Sequence, residues 1–473
     1  MKSACSLLSQ SAARSHRFLL GTFVFALCSC THGNQGIELG GNIPPSVGTE
    51  ILGLPPIDPN LQYNHTFVQQ TEADFFGWSK NGIVASRDGN RVRLVLSPEK
   101  QGTLRCESVD IDGGMARFDA ASGLCAGTDP MPGGLPSGVN YYSGGSFFFG
   151  TMTSPEVTPR APIDHLIASW NAQTPPGTWL QLRVRMKVGG AWSRYYKLPI
   201  WSSDAAVVKR HSIKEAADDT GYVDTDTFEL RNQKTATAYQ LSVTLFSTDA
   251  AKTPALGLVA AVASRDKTDY PKQDLDPSVF GKNLPVPQRS QELPEYKKPE
   301  YQQYGGGGEV WCSPTSTSMV MEYYSQKLGD PQLNQTVPDA AIGCYDWVYK
   351  GTGNWPFNTA YASTLGLAGY VTRFYSFAHA APFIKAGVPL IISIAFKAGE
   401  LPGAPISKTN GHLIVVRGFD KNGDVIANDP AARDNASVQL VYPRAALEAA
   451  WAHSHRTAYL LYPPTGFDLP QLP

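Results

Sequence analysis

From Trp179 to Val188 the chain reads WLQLRVRMKV, and this alternation constrains the fold more than any other stretch. Leu180, Leu182, Val184, Met186 and Val188 share one face, while Gln181, Arg183, Arg185 and Lys187 share the other. A period of two belongs to a β-strand with one buried and one wet face, and a helix cannot satisfy it. YQLSVTLF repeats the pattern through Tyr239, Leu241, Val243 and Leu245, and turn signals such as RDGN and VGG separate such runs. Residues 64–265 are therefore expected to form an antiparallel β-sandwich with polar outer faces.

At 473 residues the chain is too long for one small core. After residue 265 comes a polar, proline-dotted linker, placed at 266–283, and beyond it helix and strand signals mix. Helices are expected from about Pro314, near 356–366 and over 443–452, with strands at 389–396, 412–418, 424–428 and 457–462. Residues 284–463 thus read as an α+β domain, followed by a tail at 464–473.

The N-terminus is different again. Arg14 and Arg17 precede an apolar run from Phe18 to Leu27, which reads as a secretory signal over 1–30, too short to span a bilayer. LCSC at its end resembles a bacterial lipobox with Cys30 as the lipidated residue, simple signal cleavage being the alternative. Residues 31–63, rich in Gly and Pro, read as a flexible tether. An exported protein is expected, either secreted or held at the cell envelope, with the membrane touched only through such an anchor. Basic and acidic residues nearly balance, for a net charge of −1, so nothing steers the chain toward nucleic acid.

Outside the signal region four cysteines remain: Cys106, Cys125, Cys312 and Cys344. In an oxidising compartment a local Cys106–Cys125 disulfide is the simplest pairing. A Cys312–Cys344 bridge stands as the structural alternative to a reactive Cys312.

Cys312 opens a helix-like stretch, CSPTSTSMVMEYY, with Ser313 where an N-cap belongs and Pro314 in the first turn. The positive end of a helix dipole favours a thiolate and can receive an oxyanion. His412, in NGHLIVVRGF, begins a core strand; His379, His453 and His455 are less suited rivals. DKNGD is a hairpin turn, its Asn422-Gly423 pair suiting positive φ values, and it folds Asp429 back toward His412. DKNGD lacks the later glutamate of a calcium loop, so no metal or cofactor is implied. Cys312, His412 and Asp429 make a nucleophile, a base and an orienting acid. Gln291, with Gln302 and Gln303 as competitors, offers a side-chain amide to an oxyanion.

The succession VPxxSQ, GGGGEVWCSPTSTSMV, GNWPFNTAYA, GVPLIISI, GHLIVVRGF, ANDP resembles the papain-fold cysteine peptidases of the C39 type, which include peptidases that remove double-glycine leaders from bacteriocin precursors. It is closer to their stand-alone, secreted bacterial relatives. The resemblance implies a papain-like domain with Cys312 as nucleophile, His412 as base, Asp429 as orienting acid and Gln291 as the oxyanion glutamine. It also implies a substrate-binding role for Asn354 and Trp355, and the same role is expected of Trp311 beside the cysteine. Leader peptidases carry Cys-Gly where this chain has Cys312-Ser313, so double-glycine specificity is not carried over. The expectation is an exported cysteine peptidase acting on a peptide or protein substrate, its β domain binding an envelope ligand. A surface-tethered binding protein without catalysis is the alternative, and a Cys312–Cys344 bridge would favour it.

Overall fold

The alternating runs become neighbouring strands. In the computed structural model, which describes residues 37–39 and 64–470 apart from 90, 112, 131–143, 214–216, 266–272, 467 and 468, Thr178–Val188 pairs antiparallel with Ala236–Ser247. Cys30 and the signal region lie outside the described residues. Leu180, Leu182, Val184, Leu241, Val243 and Leu245 are wholly buried. Each such side chain contributes roughly 1.5–3 kcal/mol by leaving water.

Two eight-stranded sheets make up this part of the chain. One runs in the order Ile37–Leu39, Asn64–Gln69, Ala255–Ser264, His165–Gln173, Thr227–Leu230, Gly221–Asp224, with the hairpin Ile83–Asp88/Arg91–Leu96 joined to it at Leu256. The other is built on Thr178–Val188, Ala236–Ser247 and Ser146–Thr153. Pairing is antiparallel except at Ile37–Leu39, a short strand inside the expected tether, which runs parallel to Thr66–Val68.

The expected polar outer face is wet only toward its far end, at Arg185 and Lys187. Gln181 and Arg183 are 0% and 6% exposed. The Arg183 guanidinium donates to the carbonyls of Val109 and Asp110, and Gln181 Nε2 donates to Leu198 O. A second apolar cluster, with Ile111, Phe147, Phe149, Trp179 and Phe246, lies under that loop layer. The Cys106–Cys125 disulfide ties the layer to strand Leu124–Thr128. Alternation reports which residues share a face, and it is silent on what covers the polar one.

The other sheet is covered by the second domain. Asn171 Nδ2 donates to Gly369 O at 2.6 Å and Asn171 Oδ1 accepts from Gly369 N–H at 3.0 Å. Val371 N–H donates to Ser169 Oγ, and Arg373 Nη1 to Ser264 Oγ. Phe357 packs against Trp170 and Trp201.

That second domain is a six-stranded antiparallel sheet in the order Ala368–Arg373, Thr457–Tyr462, Leu390–Phe396, Thr409–Phe419, Val425–Asn428, Gln439–Tyr442. Its helices are α1 (Cys312–Leu328), α2 (Val337–Cys344), α3 (Trp355–Thr364), α4 (Phe377–Ala386) and α5 (Arg444–Ala452). The small hydroxyl residues at the start of α1 let it press onto the sheet: Ser316 Oγ donates to Leu413 O at 3.1 Å. Residues 281–284, at the edge of the expected linker, belong to this domain. Gly281 N–H donates to Asp420 O, Phe419 N–H to Lys282 O and Leu284 N–H to Arg417 O.

Candidate active site

Cys312 occupies the first position of α1, with Trp311 rather than Ser313 as the N-cap residue. Ser313 is inside the helix, and its hydroxyl is hydrogen-bonded to Tyr459 Oη at 2.9 Å, a partner 146 residues away that local sequence cannot announce. The shift brings the sulfur nearer the positive end of the helix. The four preceding glycines, Gly305 to Gly308, all have positive φ, from 55° to 90°. Only glycine adopts such a run at little cost, and a Cβ on Gly307 would lie 2.0 Å from Tyr296 O.

His412 comes from Thr409–Phe419, and Asp429 from the residue after Val425–Asn428. The pairing Val415↔Asn428 sets Asp429 across from Ile414, whose side chain shares a face with His412. The two side chains therefore meet on a diagonal, with His412 Nε2 2.7 Å from Asp429 Oδ1. The hairpin turn differs from the expected one. Gly423 has positive φ but Asn422 does not, and the Asp420 carboxylate accepts from Asn422 and Asp424 N–H instead.

Burial works against charge on His412, but Asp429 and Cys312, which hydrogen-bonds the ring, outweigh it and raise its pKa to about 10. Burial likewise opposes the Asp429 carboxylate, yet His412, the Tyr442 hydroxyl and Ala431 N–H hold its pKa below the ordinary value. An ionised carboxylate only accepts, so Nε2 carries the proton toward Asp429 and Nδ1 is left for Cys312. Tyr442 Oη donates to Asp429 Oδ2 at 2.7 Å, and burial followed by the Asp429 charge pushes the phenol pKa far upward. Spacing in the sequence did not mark Tyr442; it arrives through the Val425↔Tyr442 register.

Gln291 is distant from Cys312 in sequence but pinned beside Asp429. Its backbone N–H donates to Pro430 O at 2.8 Å. The strap that carries it is held by Arg417, which donates to Leu284 O and Val286 O, and by Asn428, which donates to Pro287 O. Gln291 is 2% exposed; its Nε2 donates to Glu292 Oε1 at 3.2 Å, and among the described residues its Oε1 has no hydrogen-bond partner. Glu292, a residue sequence reasoning did not single out, is half-buried. Desolvation raises its pKa, while Gln291 and the nearby His412 oppose the rise. Gln302 and Gln303 bond within their own turn.

Three expected substrate contacts are corrected. Trp311, Asn354 and Trp355 are each 0% exposed. Trp311 donates from Nε1 to Tyr304 O and packs under Tyr296 and Tyr301, anchoring the loop before α1. Asn354 caps α3 by accepting from Phe357 N–H, and its Nδ2 donates to Asp346 Oδ2. Trp355 lies at the domain seam, its N–H donating to Asp226 Oδ2.

A helix-borne thiol on an imidazole that is itself held by a carboxylate has the parts of a nucleophile, base and orienter site. Residues 284–459 match the model of the "Peptidase_C39 like family", and residues 65–264 match the "Peptidase C39 N-terminal domain". Each of the two domains of the chain thus matches a model of the C39 peptidase group. No curated protein matches it. Among solved structures, a C39-like protein from Bacillus anthracis is 18% identical, with 39% of this chain and 96% of that one covered and a TM-score of 0.23. A Clostridium thermocellum xylanase fragment with CBM22 and GH10 modules is 10% identical over 46% of this chain and 31% of its own, with a TM-score of 0.18. A Bacteroides ovatus GH16 protein is 10% identical over 38% and 93%, also with a TM-score of 0.18. These likenesses are too slight to carry fold or chemistry.

Proposed function

We propose that the chain is an exported cysteine peptidase that hydrolyses peptide bonds through Cys312, His412 and Asp429. The observation that carries this reading is the 2.7 Å contact between His412 Nε2 and Asp429 Oδ1, on a ring whose other nitrogen serves a thiol at a helix N-terminus. Cys312 Sγ gives its proton to His412 and attacks the scissile carbonyl carbon. The oxyanion is received by the first-turn N–H of Cys312 and by the Gln291 amide. As the C–N bond breaks, the imidazolium protonates the leaving amine. Water, deprotonated by His412, then cleaves the thioester and restores the thiol. Glu292 orients the Gln291 amide, because a carboxylate accepts only from its N–H side.

A Cys312–Cys344 bridge would have favoured the non-catalytic reading, and neither cysteine is in a disulfide among the described residues. Export rests on the N-terminal signal, with Cys30 as lipid anchor. Among the described residues no helix is long and apolar enough to cross a membrane. The N-terminal sheets are the part assigned to an envelope ligand.

The test is iodoacetamide alkylation of Cys312 against pH, read by mass spectrometry in wild type and His412→Ala. Labelling that persists well below the free-thiol pKa of about 8.5 and loses that acid limb in the variant supports the ion pair. A profile that follows an ordinary thiol in both proteins overturns it. Cys312 is only 3% exposed, so the shape of the profile decides and the absolute rate does not.

A further inference from the structure

A second site lies at the seam between the domains, and none of the residues of the site above lines it. A cavity of about 190 Å³ is walled by residues of both domains, and its lining contains two arginines, Arg91 and Arg93, and no carboxylate. Its origin is a fault in strand pairing. Ala255–Ser264 pairs with Asn64–Gln69 from Val259 onward, but with Arg91–Leu96 at Leu256. Its register with His165–Gln173 slips between Leu256 and Leu258. Gly257 sits in the slip, and a Cβ there would lie 2.2 Å from Arg93 Nη1. The glycine therefore makes room for the guanidinium at the cavity wall.

Arg93 is poorly compensated there. Its side chain is 19% exposed, and its ion pair runs from Nε to Asp88 at 3.9 Å, an aspartate that is itself 76% exposed. Such a pair is worth little. The Arg91 side chain has no hydrogen-bond or ion-pair partner among the described residues, and its charge opposes that of Arg93. A half-desolvated guanidinium facing a like charge is costly unless an anion satisfies both. Guanidinium forks match carboxylate and phosphate oxygens in shape as well as charge. The wall is also rigid: Asn171 is locked to Gly369, and Gln173 Nε2 donates to Ser363 O. Gln70 holds Tyr462 Oη through its Oε1, which leaves its amide nitrogen as a neutral donor to a ligand.

We propose that this seam cavity binds a small ligand bearing an oxyanion, carboxylate or phosphate, held between Arg91 and Arg93. A cavity of 150 Å³ takes a benzene ring, so the ligand is about the size of one sugar ring or smaller. Because both domains wall the site, its occupant stabilises their docking. The assignment does not depend on peptidase activity.

The full chain is titrated calorimetrically, and its melting followed, with inorganic phosphate, glucuronate and acetylglycine, N-acetylglucosamine serving as the uncharged control and chloride as the ionic-strength control. At least one oxyanion is expected to bind and raise the melting temperature by several degrees, while both controls leave it unchanged. Phosphate alone binding assigns a phosphate ligand, and glucuronate or acetylglycine binding assigns a carboxylate. Affinity is expected to fall about tenfold or more in Arg93→Gln, and likewise in the half-exposed Arg91→Gln, which keeps the test open if the first variant folds poorly. No binding by any of the three anions, or equal affinity in Arg91→Gln and wild type, overturns the proposal.

Discussion

Cys312 and Cys344 are the same residue in the same domain, both buried and neither in a disulfide, yet their surroundings are opposed. Cys312 begins α1, at the positive end of a helix, and hydrogen-bonds His412. Cys344 ends α2, at the negative end, and its Sγ lies 3.8 Å from Ala341 O and 3.7 Å from Thr352 O. Burial pushes the Cys344 thiol up to about 12, overriding the nearby charge of Arg210. That arginine reaches across the seam from the first domain to Ile342 O, and Asp346 accepts from Ser212 N–H in the same knot. Burial is common to both thiols. What separates them is the helix end and whether the neighbouring base can take a proton.

The largest expected effect breaks this comparison outright. Cys312→Ala should lower kcat/KM on a fluorogenic peptide pool by about 10⁵-fold, since removing a nucleophile costs on that order. Cys344→Ala should leave activity within about threefold and lower stability by roughly 1–3 kcal/mol through lost packing. Equal losses of activity in the two variants would mean that both cysteines only support the fold.

Asp429→Asn should come next, with kcat down about 10³- to 10⁴-fold. The direction of its pH effect is definite. Asp429 is what holds His412 at about 10 against burial, so without it the imidazolium loses its proton at lower pH. The alkaline limb of the activity profile should then move down in the variant. An unmoved limb would show that Asp429 does not set the ring's charge. Gln291→Ala is smaller, about 10²-fold in kcat with KM little changed, because an oxyanion donor acts on the transition state. A change confined to KM would make Gln291 a substrate contact instead.

How much of this was legible in the sequence depended on range. The period-two runs, the expected strands at 389–396 and 457–462 and the helix over 443–452 lie within a residue or so of Leu390–Phe396, Thr457–Tyr462 and Arg444–Ala452, because each is written in local periodicity. The hairpin that returns Asp429 to His412 was also local. Ser313 was expected as the cap but lies inside the helix, where its hydroxyl bonds Tyr459 on a strand of the sheet. Gln181 and Arg183 were expected in solvent and are buried by a loop layer that no alternation encodes. Trp311, Asn354 and Trp355 were expected to meet substrate, but they hold a loop, a helix cap and the domain seam. Tyr442 and Glu292 reach the site only through register and strap, so spacing could not find them.

The smallest effect on activity, and the sharpest test of the contrast, concerns the neighbourhood of Cys344. Asp226 is buried at the seam, accepts from Trp355 N–H, and has its pKa raised to about 7, chiefly by desolvation, with Asp346 among the lesser causes. In the unfolded chain it titrates near about 3.9. Between these values the native state holds a proton that the unfolded state has lost, so stability is fullest below the unfolded value and falls as pH rises toward and through 7. The loss is on the order of a few kcal/mol for a shift of this size. Asp226→Asn cannot ionise and should lack that decline. Urea unfolding at pH 4.5 and pH 8 should therefore bring the variant up relative to wild type at the higher pH, while the pH profile of Cys312 alkylation stays where it was. If the alkylation profile moved as well, the two cysteines would share one electrostatic environment, and the contrast between them would not explain which of them reacts.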